Sequence, residues 1–355
     1  VNKQDPARQQ DYKDRLSKLG ISPLWDQYRD LLTLEPIVRT VPHIWVYAEL
    51  RDILLESGDL ISAKEAQRRV LMLENPALPN QTQATDTLFT GLQLILPGEV
   101  APAHRHTPNA LRLILEGDGG YTSVNGEKTV MKYGDYIITP NWCWHDHGNE
   151  GDGPVVWQDI LDLPLLKSLG TIFYESYPNE QFPPGPTPGD SLRRYGSNMR
   201  PAGLEPDKLN SPIFSYPFEK TRETMEALAR DSDPDPYHGL KMEFIDPTTG
   251  APAMSSISTF MQRLAKGFKT ERYQSTEGVI FTCVEGGGRA VIGNGSDEGN
   301  GSGQQIFEFT EKDIFVIPSW VPFALEADDD TYLFAGTDRT VQQKLGLWRE
   351  RRGNE

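Results

Sequence analysis

Of the six histidines in this chain, four fall between Gly98 and Asn149, and that window constrains the fold more than any other stretch. It reads GEVAPAHRHTPNALRLILEG, then a hairpin, then GDYIITPNWCWHDHGN. His104 and His106 are two apart, so on an extended strand their side chains leave the same face. Asn125-Gly126, between TSV and EKTV, reads as a tight hairpin turn beyond which His145 returns over the pair. A strand-borne HxH closed by one distant histidine is a metal-site arrangement, unlike the spacing of a helical zinc motif. Any one of these histidines alone would read as a core residue; their joint spacing reads as a site.

That spacing resembles the cupin family. Its first signature asks for Gly, five residues, HxH and a later Gly, met by Gly98, His104, His106 and Glu116-Gly117. Its second is met by Gly134, Pro140, His145 and Asn149. The usual glutamate ligand is replaced by Ala110. Three neutral imidazoles without a carboxylate would leave a divalent metal its full charge and open coordination positions.

The 355 residues are enough for two domains with cores of their own. A net charge of -16 argues against a nucleic-acid backbone or an anionic membrane surface as partner, and a small anionic substrate would need local arginines. Cys143 and Cys283 imply no disulfide framework. VNKQDPARQQDYKDRLSKLG lacks the apolar core of a signal peptide and no apolar run reaches membrane-spanning length, so the expectation is a soluble cytoplasmic protein.

In chain order, residues 1–80 read as a largely helical arm. SPLWDQYRDLL is expected to bury Leu24, Trp25, Tyr28 and Leu31 on one face, and YAELRDILLESG to stop at Gly58. SAKEAQRRVLMLEN is ambiguous and ends at Pro76. Short strands with Gly and Asn-Gly punctuation then indicate a barrel over 81–175. Residues 176–245 read as a connection carrying one helix, FEKTRETMEALARD, and 246–340 as a second barrel before a tail at 341–355.

The second barrel is visible as an internal repeat. Gly267 matches Gly98, Val279 matches Ala110, and KDIFVIPSWVPF matches GDYIITPNWCWH at a slightly larger offset. The difference is absorbed by GNGSDEGNGSG, which reads as an extended surface hairpin. At the ligand positions the repeat carries Tyr273, Ser275 and Phe323, so it keeps the fold and loses the metal. The fold class expected is mainly β: a bicupin of two double-stranded β-helix (jelly-roll) barrels with a helical N-terminal arm.

Three histidines alone admit zinc as a Lewis acid or ferrous iron holding a chelate and dioxygen together. Arg112 reads as lying on the same strand as the HxH pair, and six residues beyond His106 gives it the same parity, so it should point inward, where a guanidinium is costly unless an anion pairs with it. His147 shares the inward face of His145, and Gln93 lies on the preceding strand. His43 and His238 read as structural or solvated.

RRVLMLENPAL, LFTGLQLILPGEVAPAHRHTPNALRLILEG, NWCWHDHGN and WQDILDLP are similar to the gentisate 1,2-dioxygenase family, which includes salicylate and 1-hydroxy-2-naphthoate dioxygenases. The resemblance extends to VPHIW and VIPSWVPF and so covers most of the chain. It implies a homotetrameric bicupin with one Fe(II) per subunit, which uses dioxygen to open an aromatic 2-hydroxycarboxylate between the carboxyl- and hydroxyl-bearing carbons. By motif it implies His104, His106 and His145 as iron ligands and Arg112, His147, Gln93 and Arg68 as substrate contacts. Asp159 matches the active-site aspartate, and Phe89 and Gly91 the pocket wall. His147 or Asp159 would handle protons of the substrate hydroxyls.

Four positions depart from the family pattern: Ile160 where Gly follows the aspartate, Pro108 and Asn109 after HRH, and Phe89 in place of Tyr or Trp. These are expected to cluster near the substrate and to bear on ring substitution, leaving room for a substituted gentisate, a salicylate or 1-hydroxy-2-naphthoate. A different cupin metalloenzyme and a non-catalytic bicupin are the alternatives of other classes.

Overall fold

The computed structural model describes residues 5–205, 209–293 and 303–353. Residues up to Ile37 form one unit and Val38 onward a second. In the first unit, helix Pro6–Lys18 is capped by Asp5, whose carboxylate accepts from the Ala7 amide at 3.0 Å. Helix Leu24–Leu31 follows. Its apolar face is not buried as expected: Leu24, Trp25, Tyr28 and Leu31 are all more than half exposed.

The second unit holds four antiparallel sheets that form two barrels. One sheet of the first barrel runs, edge to edge, Val70–Met72, Phe89–Ile95, Val155–Leu161, Ala110–Glu116, Tyr136–Thr139 and Ser215–Tyr216. The facing sheet runs Glu127–Val130, Gly120–Val124, His145–Asn149, Val100–His106 and Tyr174–Ser176. The second barrel repeats both orders strand for strand. Its six-stranded sheet is completed by His43–Trp45, which pairs with Ile314–Ile317 where Ser215–Tyr216 pairs with Tyr136–Thr139. VPHIW thus belongs to the sheet of the second barrel although it lies before the first barrel in sequence.

Side-chain alternation explains the packing. Along Val155–Leu161, Val156 and Ile160 face outward into a core shared by both six-stranded sheets, with Leu92, Leu111, Ile280 and Phe334. Trp157 faces inward with Ile95, Ile114 and Ile137. The same alternation in the second barrel turns Phe281, Phe309, Phe315 and Phe323 inward.

Local expectations met different fates. Asn125 (φ 49°) and Gly126 (φ 84°) make the predicted turn between Gly120–Val124 and Glu127–Val130. Helix Phe218–Asp231 spans the predicted segment. Helix Tyr47–Leu60 runs through Gly58 rather than stopping there, because a Cβ at Gly58 would meet Leu96 Cδ1 at 3.0 Å and the glycine serves close packing. The ambiguous stretch after Ile61 splits into a Ser62-capped turn, Ala63–Ala66, and the strand Val70–Met72. The GNGSDEGNGSG insertion joins two paired strands, Gly287–Ile292 and Gln305–Thr310, and its residues 294–302 lie outside those described. Cys143 and Cys283 form no disulfide. Among the described residues no helix is long and apolar enough to cross a membrane.

Candidate metal centre and substrate pocket

The Val100–His106 strand projects His104 and His106 into the first barrel, and its antiparallel neighbour His145–Asn149 places His145 directly opposite His104. Among the described residues, His104, His106 and His145 are the one group of possible metal donors that comes together, with ligand atoms all within 4.8 Å. Their second nitrogens are engaged in the way a metal site requires. His106 Nδ1 meets the Pro108 carbonyl at 2.9 Å, His145 Nδ1 the Cys143 carbonyl at 2.9 Å, and His104 Nδ1 the Pro102 carbonyl at 3.2 Å. His145 Nε2 is buried without a hydrogen-bond partner, whereas His104 Nε2 lies 3.3 Å from Arg68 Nη2. Burial holds all three imidazoles below the ordinary histidine range, His106 at about 4; Arg68 and Arg112 add to it at His104 and His106, and the His104 and His106 rings and then Arg112 at His145. Neutral imidazoles around a buried point are the donor set a divalent transition metal takes.

Arg112 is not on the HxH strand. The chain turns after His106, and Arg112 sits on Ala110–Glu116 in the opposite sheet, so parity along one continuous strand was the wrong geometry for a correct inward direction. It is 3% exposed, donates to Thr139 Oγ1 at 2.5 Å, and lies 3.5 Å from Asp159 Oδ1 across the strand pair. The anion this buried guanidinium needs is therefore supplied in part by the protein. Trp157 Nε1 donates to the same Asp159 oxygen at 3.1 Å. Burial pushes the Asp159 carboxyl up to about 6, against the opposing pull of Arg112.

Gln93 lies beside Trp157, and Gly91 beside Asp159, on the next strand. Gly91 has no room for a side chain: a Cβ would stand 2.7 Å from Val70 Cγ1 and 3.2 Å from the Phe89 ring. His147 is fully buried, with Nδ1 2.9 Å from Thr122 Oγ1. His147 Nε2, Gln93 Nε2 and Arg112 Nε have no hydrogen-bond partner among the described residues. These atoms gather around the three histidines, although the second barrel also leaves Gln262 Nε2 and Tyr273 Oη without partners among the described residues. Half-buried Arg68 reaches in from the Val70–Met72 side, donates to the Pro102 carbonyl at 3.0 Å and touches the His104 ring. Burial and the like charge of Arg112 lower its pKa to about 9.

The barrel thus gathers all ten predicted residues, the histidines on one sheet and the arginine, glutamine and aspartate on the other. Four supporting residues escaped prediction. Thr122 and Thr139 are inward polar residues on strands whose parity alone could have singled them out, and Trp157 lies within the WQD motif. Tyr174, stacked on His104 at 5.2 Å, comes from a strand with no periodic signal. The departures from the family pattern do not cluster at the substrate. Ile160 points into the inter-barrel core, its Cδ1 2.8 Å from where a Cβ on Gly336 would stand. Asn109 bonds Asp162 and Ser256, and Pro108 lends its carbonyl to His106. Only Phe89 stays on the pocket wall.

The fold is a bicupin whose first barrel holds a histidine triad that could bind a metal, and a cupin domain profile matches residues 91–162. The chain is 46% identical over 350 residues to gentisate 1,2-dioxygenase 1 of Aquipseudomonas alcaligenes, covering 98% of each. It is 36% identical to a gentisate 1,2-dioxygenase of a Streptomyces species, covering 94% of this chain and 92% of that one. The crystal structure of a salicylate 1,2-dioxygenase from Pseudoaminobacter salicylatoxidans with gentisate superposes with a TM-score of 0.90 at 30% identity, over 100% of this chain and 96% of that one. The chain belongs to the gentisate 1,2-dioxygenase family of ring-cleaving enzymes.

Proposed function

We propose that this protein is an Fe(II)-dependent dioxygenase that opens gentisate between its carboxyl-bearing and adjacent hydroxyl-bearing carbons. One dioxygen is consumed, one carbon–carbon bond breaks, and both oxygen atoms enter the product, maleylpyruvate. The observation that carries this reading is the opposition, across one barrel, of three clustered histidines and the buried Arg112–Asp159 pair. His104, His106 and His145 would hold the iron, which when bound supplies adjacent positions for a 2-hydroxycarboxylate and dioxygen.

The chain's own residues bind, orient and exclude water. Arg112 offers a fork to the substrate carboxylate, held at one edge by Thr139 and Asp159 so that its orientation is set before substrate arrives. Arg68 adds a second positive charge at the mouth. His147, fixed through Nδ1 by Thr122, leaves Nε2 to take or return a proton of a ring hydroxyl. Trp157, Ile114 and Phe89 supply an apolar wall that strengthens these charges by excluding water. Gln93 carries an amide without a protein partner, suited to a ring substituent.

The test is anaerobic loading with ferrous iron, then oxygen uptake with gentisate and near-ultraviolet absorbance of the ring-opened keto acid. Stoichiometric uptake is expected, and silence toward every 2-hydroxybenzoate in iron-loaded protein would overturn the reading. A second substrate reading, a salicylate without the 5-hydroxyl, is favoured by Phe89, which offers no hydrogen bond where the family pattern has Tyr or Trp. Turnover of salicylate with silence toward gentisate would select it. A homotetramer belongs to the same proposal: the exposed face of Leu24, Trp25, Tyr28 and Leu31 suits burial against another copy, and light scattering would measure the assembly.

A further inference from the structure

The strand that carries His104 and His106 also carries Arg105 between them. The alternation that sends the histidines inward sends Arg105 to the outer face of the barrel. There it meets two other segments at once. Its guanidinium carbon lies 4.5 Å from the ring centre of Trp142 and 4.5 Å from that of Trp144, both in the loop that leads into His145. Its Nε and Nη2 donate to Glu175 Oε2 at 2.8 and 2.6 Å, on the neighbouring strand Tyr174–Ser176. The charge of Arg105 is thus matched, and the half-buried residue calls for no ligand of its own.

Both segments that it grips touch the metal centre. Trp144 immediately precedes His145, and Trp142 donates its amide to the His106 carbonyl at 2.9 Å. Tyr174, next to Glu175, stacks on His104 with ring centres 5.2 Å apart. The strand ladder by itself holds these parts poorly. Between Val100–His106 and His145–Asn149 the register shifts between Ala101 and His104, and the pairing ends where His104 stands opposite His145. His106 lies beyond that end, so side-chain contacts supply what a regular ladder would.

The second barrel, whose ligand positions hold no histidine, serves as an internal control. Tyr273 and Phe323 stand in register as His104 and His145 do, and Gln274 pairs with Arg351 as Arg105 pairs with Glu175. Gln274 thus takes the place of Arg105, and Pro322 precedes Phe323 where Trp144 precedes His145. Trp320 keeps the backbone turn of Trp142, yet the cation over its ring, Arg351 at 5.3 Å, comes from the edge strand Glu350–Arg352. The grip from the ligand-bearing strand is present only in the barrel that gathers the histidines.

We propose that Arg105 is a positioning residue of the metal centre. From the outer face of the barrel it fastens the loop before His145 and the strand of Tyr174 to the HxH strand, and so sets the mutual geometry of the three histidines. The role rests on His104, His106 and His145 holding a divalent metal, and on neither the identity of that metal nor the substrate.

The test uses the full chain loaded with Co(II), whose visible absorption bands report ligand geometry, and follows release of the metal into a chelator. Release should quicken at least about tenfold in Arg105→Gln, the low end for loss of a residue that orients metal ligands. The bands should shift with it, and Arg105→Lys, which keeps a cation over the rings, should recover part of the loss. Arg351→Gln, which removes the cation over Trp320, should leave bands and release unchanged, and the metal-free forms of Arg105→Gln and Arg351→Gln should melt alike. Should Arg105→Gln fail to fold, Glu175→Gln replaces it, with an expected quickening of about threefold, the scale of an exposed ion pair. Unchanged bands and release in Arg105→Gln, or the same quickening in Arg351→Gln, would overturn the assignment. Failure of the unaltered chain to bind cobalt would overturn the metal centre itself, and the role of Arg105 with it.

Discussion

In one barrel His145 stands opposite His104; in the other Phe323 stands opposite Tyr273 at the same register. The loops that close the two sites match as well. Trp142 (φ 59°) donates its amide to the His106 carbonyl at 2.9 Å, and Trp320 (φ 61°) donates to the Ser275 carbonyl at 2.6 Å. That clamp is a property of the fold, since it survives in the barrel that gathers no histidine cluster among the described residues. What differs is the filling. The counterpart of Arg112 is Phe281, whose ring lies 5.1 Å from Phe315 and 5.8 Å from Phe323. Aromatic and aliphatic side chains fill much of the second interior, with Gln262 and Tyr273 as its polar members, whereas the first interior carries histidines, an arginine and an aspartate. A jelly-roll backbone is therefore indifferent to metal, and its inward positions decide between a packed core and a reaction chamber.

The largest expected effect tests that division. His145→Ala should remove the metal and with it all turnover, measured by metal analysis and oxygen uptake. Phe323→Ala should leave metal content and KM unchanged and cost about 3–5 kcal/mol of stability in denaturant unfolding. Metal loss from Phe323→Ala would break the comparison. Next, Arg112→Ala should lower kcat/KM by roughly 10- to 100-fold with iron retained, the scale of a lost hydrogen bond to a charged partner. An unaffected enzyme would remove Arg112 from the substrate site.

Ile160→Ala should act on the seam rather than the pocket, costing about 2–4 kcal/mol with KM unchanged. A changed KM would return Ile160 to the substrate's surroundings. The smallest effect concerns a reciprocal clamp across the seam. Asp162 accepts from Ser256 of the second half, and Asp338 accepts from Thr87 of the first at 2.9 Å. Burial raises both carboxyls to about 6 from 3.8. Because the folded pKa exceeds the unfolded one, the native state holds the proton longer. Each group therefore takes stability away as pH rises from about 4 to about 6, and nothing further above that. Asp338→Asn should gain on wild type across this window by roughly 2 kcal/mol, read as melting temperature against pH. A pH-independent difference would show that Asp338 ionises as it does in the unfolded chain.

The metal centre was legible because strand parity and hairpin length are local rules: HxH must share a face, and Asn125-Gly126 must turn the chain back. The repeat was legible through the same ruler, including the loss of ligands at Tyr273, Ser275 and Phe323. Helix Phe218–Asp231 was legible from its apolar spacing. The exposed face of Leu24–Leu31 was not, because amphipathic spacing says that a face is apolar and not what covers it. Nor was the destination of VPHIW, whose pairing with Ile314–Ile317 spans most of the chain.

The sequence by itself determined that this chain makes two jelly-roll barrels and that one of them brings three histidines together. Only the tertiary structure decided that Arg112 faces those histidines from the opposite sheet, already paired with Asp159. It alone turned Ile160 and Asn109 away from the pocket and into the joint between barrels. The reason is physical: periodicity along a strand fixes the face a side chain takes, while the neighbour it meets depends on pairings between strands far apart in the chain.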